Sequence, residues 1–214
     1  MINFIQLGAN RGNTSTDYIY KAQKEHGWSG ILVEPLPASF KELQKCYKGK
    51  KGLRFENVAI RNYDGKTNLY YSPELTEQAS VVQTDWNAQG EILEVPCITL
   101  ESLVRKYHWQ EKPFILLEID IEKGEPEVLL STDFNVVRPY YIRFEQVHLH
   151  ETEKKQIHDY LKGFHYSECA DPLIEGLEEV AENPNYMKAY KYVGPPEEPR
   201  MVMVNHEIII EQSR

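Results

Sequence analysis

Ile5-Gln6-Leu7-Gly8-Ala9-Asn10-Arg11-Gly12-Asn13-Thr14 is an apolar run that breaks into a glycine-bearing turn, and twenty-two residues after Gly12 a second apolar run closes on Glu34. Strand, turn, helix and a second strand ending in a carboxylate is the order in which α/β folds bind a nucleoside-containing cofactor. Gly8 and Gly12 let the backbone approach a ligand where a Cβ would collide, and Glu34 can accept hydrogen bonds from both ribose hydroxyls. A nicotinamide or flavin site needs a third glycine to seat a pyrophosphate on the helix N-terminus. Here the spacing is G-x-N-x-G, and Thr14 and Ser15 stand where that glycine belongs. Such a turn better suits a ligand without phosphates, such as S-adenosylmethionine; a purely structural glycine turn is the competing reading.

Working outward, Thr14 or Ser15 can cap a helix running to about His26, with Ile19 and Ala22 on one face and Gly27 as its stop. Pro37 opens the next helix, whose stripe is Phe40, Leu43 and Tyr47. Leu53 to Ile60 reads as a third strand, and Asp64-Gly65 as a hairpin turn into an added strand. A polar stretch from Ser72 to Gly90 follows, then a short strand from Val95 to Ile98 and a helix capped by Thr99. Phe114 to Ile121 is the most hydrophobic strand and is expected at the centre. Gly124-Glu125-Pro126 opens a helix, Tyr140 to Glu145 is a strand, and Thr152 to Lys162 is a helix stopped by Gly163. Phe164 to Cys169 and Val202 to Ile210 are the last strands, separated by the long stretch from Asp171 to Arg200. This alternation predicts a doubly wound, mostly parallel seven-stranded α/β sheet, with helices on both faces and one antiparallel strand near the edge.

The 214 residues suit one domain, 1–214, and are few for two. Lys plus Arg number 24 against 33 Asp plus Glu, a net charge of −9, with no basic cluster interleaved with aromatics. Nucleic-acid phosphates call for the opposite balance, so no nucleic-acid partner is expected. Cys46, Cys97 and Cys169 are odd in number and widely spaced, which fits neither a disulfide framework nor a zinc site. They point to a cytoplasmic protein, and no apolar run reaches the ~18 residues of a membrane span.

At Glu118-Ile119-Asp120-Ile121-Glu122 the pattern becomes more specific. The succession I-Q-L-G-A-N-R-G, L-V-E-P, N-V-A-I, T-L-E-S-L and E-I-D-I-E-K-G-E-P-E-V-L resembles the FkbM-type S-adenosylmethionine-dependent methyltransferases over roughly residues 3 to 150. The resemblance implies a class I methyltransferase fold and methyl transfer to hydroxyl groups of sugars, glycans or natural products. It also implies that Gly8, Ala9, Asn10, Gly12 and Asn13 line the methionine part of the cofactor, Glu34 holds the ribose, and Asn57 and Val58 border the adenine. Asp120 then stands at the central strand tip, within reach of the cofactor's amino group, a substrate hydroxyl or a metal. Two departures stand out: Glu118 replaces a customary lysine and Lys123 a customary glycine.

Methyl transfer from a sulfonium is an in-line displacement, so alignment provides much of the acceleration, and a sugar hydroxyl needs a general base or a metal. His148, just beyond the Arg143-Phe144-Glu145 strand end, is the candidate base; an ordinary surface histidine is the alternative. Asp120, Glu145 and His148, with Glu122, can instead form a cage for Mg2+ or Mn2+. Helix-dipole and strand-end carboxylates are the plainer readings of Glu122 and Glu145. Tyr186, Tyr190 and Tyr192 make the 171–200 stretch a substrate lid or a linker. Trp86 is the tryptophan to test as a sugar platform. The leading expectation is a sugar or glycan O-methyltransferase, acting alone, as a homodimer, or as a domain of a larger glycan-modifying protein. A nicotinamide-dependent oxidoreductase and a non-catalytic glycan- or protein-binding domain are the alternatives.

Overall fold

The structure is a computed structural model that describes residues 2–12, 18–110, 113–171, 173 and 187–194, with the backbone of 200–204 and 207–211. Its main sheet contains β1 (Asn3–Leu7), β2 (Ser29–Val33), β3 (Leu53–Glu56), β8 (Phe114–Ile119), β9 (Pro139–Glu145), β10 (Tyr166–Cys169) and β11 (Met187–Tyr192). The spatial order is β10-β11-β9-β8-β1-β2-β3. Helices α1 (Tyr18–His26) and α2 (Pro37–Cys46) cover one face; α3 (Leu100–Lys106), α4 (Glu125–Ser131) and α5 (Glu151–Gly163) cover the other.

Strand periodicity explains the two layers. Phe4, Leu32 and Leu116 point toward α1 and α2, whereas Ile5, Leu7, Ile31, Val33, Leu117 and Ile119 point toward α3, α4 and α5. Every residue of β8 is buried, as its unbroken apolar run requires of a strand covered on both faces. The expected cap holds at α3, where Thr99 Oγ1 accepts from Ser102 N at 3.1 Å. Thr14 and Ser15, expected to cap α1, lie outside the described residues.

The expectation of a mostly parallel sheet is met in part. The sheet is mixed, because β11 pairs antiparallel with both β9 and β10, one place in from the edge. That strand comes from within the stretch expected to be a lid or linker, not from Val202 to Ile210. Its sequence M-K-A-Y-K-Y hides it: the lysines break the apolar signal, and Lys188 pairs across the strands with Glu168. Residues 200–204 and 207–211 form a separate antiparallel pair, β12 (Arg200–Val204) and β13 (Glu207–Glu211). The rest of the expected lid, including Tyr186, lies outside the described residues, apart from Asp171, Leu173 and 187–194.

A second sheet, in the order β4-β7-β5-β6, was not foreseen. It comprises β4 (Ala59–Ile60), β5 (Gly65–Ser72), β6 (Leu75–Ser80) and β7 (Glu91–Ile98) around a small core of Leu36, Ala59, Leu69, Val95 and Cys97. The single third strand expected over 53–60 divides at Asn57, whose amide donates to Glu34 O at 2.8 Å and Pro35 O at 3.0 Å. Asp64-Gly65 does not make the expected hairpin; β5 pairs with β7, while Asp64 accepts from Thr99 N and Ser102 Oγ, each at 2.7 Å.

The main sheet's carboxyl edge is drawn together at Gly8, whose φ is +80° and where a Cβ would stand 1.7 Å from Asp120 O. Gly8→Ala therefore combines left-handed strain with a backbone clash and is expected to cost at least ~2 kcal/mol in chemical denaturation. Gly27→Ala is the control, with φ +66° and no atom within 4 Å of the added Cβ. It carries only the left-handed strain, ~1–2 kcal/mol; equal losses at the two sites would refute the crossing argument.

Candidate functional site

The tips of β1, β2 and β8 meet at this edge. Gly8 N and Ala9 N both donate to Val33 O at 3.0 Å, and Asp120 N donates to Leu7 O at 3.0 Å. Glu34, at the tip of β2, is 5% exposed. Its Oε2 accepts from Asn10 N at 2.9 Å and its Oε1 from Leu36 N at 2.8 Å. Burial raises the Glu34 carboxyl to about 7, outweighing the lowering effect of those two N–H groups. Each oxygen keeps a further lone pair for a ligand hydroxyl.

A cleft opens here. Gly8, Asn10, Glu34, Val58 and Asp120 line it on the main-sheet side; Thr76, Glu77, Ala79 and Ser80 of β6 form the facing wall. Arg11 Nη2 reaches across to Thr76 Oγ1 at 2.8 Å. Asn10 adopts φ 44°, and its Oδ1 is buried without a hydrogen-bond partner. An unsatisfied buried acceptor is costly, and this one belongs to a residue that lines the cleft.

Other expected contacts are placed differently. Ala9 is buried in the core beneath α1 and α2. A Cβ on Gly12 would meet Leu43 and Tyr47, each at 2.7 Å, so packing on α2 already demands that glycine. The Asn57 amide is spent on backbone carbonyls. Asn13 lies outside the described residues.

Beyond the tip of β8 the chain turns through Glu122 and Lys123, with φ 57° and 74°. Ser80 Oγ donates to Glu122 O at 2.5 Å, tying β6 to this turn, and Glu125 Oε1 accepts from Ile121 N at 2.7 Å. Donor atoms of Glu122, Glu145 and His148 lie within 4.8 Å of one another, and so do those of Asp120, Glu125 and Glu145. The expected trio of Asp120, Glu145 and His148 is thus divided between two sets that share Glu145. His148 Nε2 is 3.9 Å from a carboxylate oxygen of Glu122 and of Glu145. Either set offers oxygen-rich ligands that suit Mg2+ or Mn2+.

Burial, followed by the charges of Glu145, Asp120, Glu125 and Glu77, raises Glu122 to about 9. Glu125 rises to about 8, again mainly through burial. Burial lowers His148, with Lys123 adding to the effect, so its imidazole is neutral at pH 7. Its ring centroid lies 4.9 Å from that of Trp86.

Glu118, where the resemblance led one to expect lysine, is paired with its neighbour in register on β9, Arg143, at 2.6 Å. Arg143 Nε also meets Asp171 Oδ2 at 2.8 Å. The site's polarity is therefore reorganised around a buried arginine; removing one partner from such a pair typically costs ~3–5 kcal/mol. Sequence reasoning missed Glu125, which reads as a helix-dipole carboxylate, and the β6 wall. In β6 the buried positions Thr76 and Ser80 are small and polar, so no hydrophobic alternation marks the strand.

The FkbM domain of methyltransferases matches residues 6–188 of the chain. No curated protein matches it. Among solved structures, methyltransferase FkbM from Methylobacillus flagellatus superposes with a TM-score of 0.56 at 11% identity, covering 89% of this chain and 43% of that one. The present chain thus spans under half the length of that protein. Weaker likenesses are a putative rRNA methylase from Clostridium thermocellum (TM-score 0.47, 9% identity, 90% and 87% covered) and the N-terminal domain of human METTL16 in complex with SAH (TM-score 0.45, 10% identity, 91% and 62% covered).

The raised carboxyls carry a stability consequence. Folded Glu34, Glu118, Glu122 and Glu125 hold protons, up to about 7, 7, 9 and 8, that the unfolded chain releases near 4.5. Their contribution is fully present below pH 4.5 and is lost as pH rises through those values, by up to about 1.4 kcal/mol per pH unit for each group. Denaturant midpoints of the free protein should fall between pH 5 and 9, and Glu122→Gln should flatten the alkaline part of that fall. A midpoint rising over this range would show that these carboxyls are ionised in the fold.

Proposed function

The chain belongs to the FkbM methyltransferase domain family, and from that premise we propose that it transfers a methyl group from S-adenosylmethionine to a hydroxyl of a sugar, glycan or related small molecule. The observation that carries the cofactor assignment is the convergence of Glu34, the unsatisfied Asn10 Oδ1 and Asp120 on one strand-tip cleft. Bound there, S-adenosylmethionine supplies a sulfonium methyl group open to in-line displacement. Glu34 accepts the ribose hydroxyls while Asn10 N and Leu36 N fix its carboxylate, and Val58 and Ile60 flank the adenine. Asn10 Oδ1 and Asp120 accept from the amino group of the methionine part.

His148 is the group for the acceptor proton. Its imidazole is neutral at pH 7 and half-exposed at the acceptor side, and its Nε2 receives the hydroxyl proton. Carboxyl oxygens of Glu145 and Glu122 lie 3.9 Å from that nitrogen and frame the ring. A second reading, favoured by the two donor sets that share Glu145, puts Mg2+ or Mn2+ on these carboxylates to orient the acceptor oxygen. The net charge of −9 argues against a nucleic-acid acceptor. No helix among the described residues is long and apolar enough to cross a membrane, and a cytoplasmic location remains our reading of the widely spaced cysteines. Against the nicotinamide alternative stands the sequence of the turn after β1, where Thr14 and Ser15 replace the third glycine that a pyrophosphate site needs.

Calorimetric titration with S-adenosylmethionine, with NADH in parallel, tests the cofactor. Binding of the sulfonium cofactor alone is expected, and binding of neither would leave a non-catalytic domain. Glu34→Ala should weaken that affinity by about 1–3 kcal/mol through lost charge-assisted hydrogen bonds; unchanged affinity would remove Glu34 from the ribose. His148→Ala should lower turnover about 100-fold while leaving cofactor affinity intact. In the unmodified enzyme the acid limb of turnover should lie below pH 6.5, the ordinary histidine value. A limb above 6.5, or normal turnover in the variant, would exclude His148 as base.

A further inference from the structure

Lys123 occupies a conformation that a side chain adopts only at a cost. Its φ of 74° follows 57° at Glu122, two left-handed residues in succession where glycine would sit without strain. Such outliers persist when the surroundings fix them, and they concentrate at functional sites. The turn is held by Ser80 Oγ on Glu122 O, and the Lys123 ammonium lies 4.9 Å from the centroid of the Trp86 ring. The same indole meets the His148 ring at 4.9 Å and an interplanar angle of 40°.

Trp86 is itself carried on a well-braced loop between β6 and β7. Asn87 Oδ1 accepts from Thr84 N at 2.7 Å and Asn87 Nδ2 donates to Val82 O at 3.1 Å. Ser80 Oγ accepts from Val82 N at 2.9 Å and donates to Glu122 O, so the loop is anchored to the turn that holds Lys123. The small sheet thus delivers one aromatic ring to two side chains that belong to the main sheet's edge. A free indole would make a sugar platform; one already engaged by a cation and an imidazole orients those partners.

We propose that Trp86 is a positioning residue, whose indole carries the Lys123 ammonium and the His148 imidazole together and fixes both at the acceptor side of the strand-tip site. This rests on the reading of His148 as the group that takes the acceptor proton. Lys123, Glu122 and Glu145 are then the titratable side chains that frame the imidazole, and the β6–β7 loop becomes the element that sets its orientation.

The test compares Trp86→Phe, which keeps an aromatic ring, with Trp86→Leu, which keeps bulk without one. In the free protein, the His148 ring protons should be displaced upfield by the indole ring current in NMR spectra. The displacement should persist with Phe and vanish with Leu, and the rate of His148 modification by diethyl pyrocarbonate should rise about fivefold in the Leu variant only. S-adenosylhomocysteine affinity should change less than about twofold in either. Unchanged ring shifts and reactivity in the Leu variant would overturn the proposal. Should that variant not fold, Lys123→Gly, which relieves backbone strain, must reduce the His148 ring shift by freeing the indole; an unaltered shift again overturns it. With any hydroxyl acceptor that is turned over, Leu should lower kcat and Phe restore it. A raised KM with unchanged kcat would make Trp86 a sugar platform instead. Absence of S-adenosylhomocysteine binding by the wild type would overturn the methyltransferase reading, and the free-protein spectra would still decide the contact.

Discussion

The site depends on one close approach of backbone to backbone, where the turn after β1 passes the carbonyl of Asp120. No side chain fits at Gly8, because its Cβ would stand 1.7 Å from that oxygen. This approach puts Asp120 N on Leu7 O and both Gly8 N and Ala9 N on Val33 O, locking three adjacent strand tips together. Glu34, Asn10 and Asp120 converge on one cleft because these tips cannot separate. Parallel strands bury their ladder and leave their tips as the place where backbone and side-chain polar groups face outward together.

The second organising fact is the amount of carboxylate placed out of water. Glu34, Glu118, Glu125 and Glu145 are all buried, and Glu122 is nearly so. Desolvation penalises their charged forms, and it moves the carboxyl groups of Glu34, Glu118, Glu122 and Glu125 upward. Carboxyl groups held near or above neutrality are a common property of sites that handle protons or cations, since that burial works against stability. The buried Arg143, bridging Glu118 and Asp171, compensates part of it. Position 118 thus finds its partner on the adjacent strand, in register.

Much of the architecture was legible from the chain. β1, β2, β8 and β9 are apolar runs with clear punctuation, and Thr99, Pro37 and Gly163 mark helix ends where the structure has them. Residues that meet the sheet through alternation of polar and charged side chains were not legible. β6 turns Thr76 and Ser80 inward, and β11 carries two lysines, so neither shows the hydrophobic period that identifies a strand. Missing β6 meant missing the facing wall of the cleft and the anchor of the Glu122 turn. The glycine motif was recognised, but not the protein atoms its glycines meet, Asp120 O for Gly8 and Leu43 and Tyr47 for Gly12. Side-chain collisions between distant segments leave no trace in local sequence, and neither does the register that sets Glu118 opposite Arg143.

The most direct test of the account is a crystal structure with S-adenosylhomocysteine bound. The account predicts the ribose hydroxyls on the Glu34 carboxylate, the adenine against Val58 and a donor of the ligand on Asn10 Oδ1. A ligand seated elsewhere, or one whose ribose leaves Glu34 bonded only to Asn10 N and Leu36 N, would contradict it.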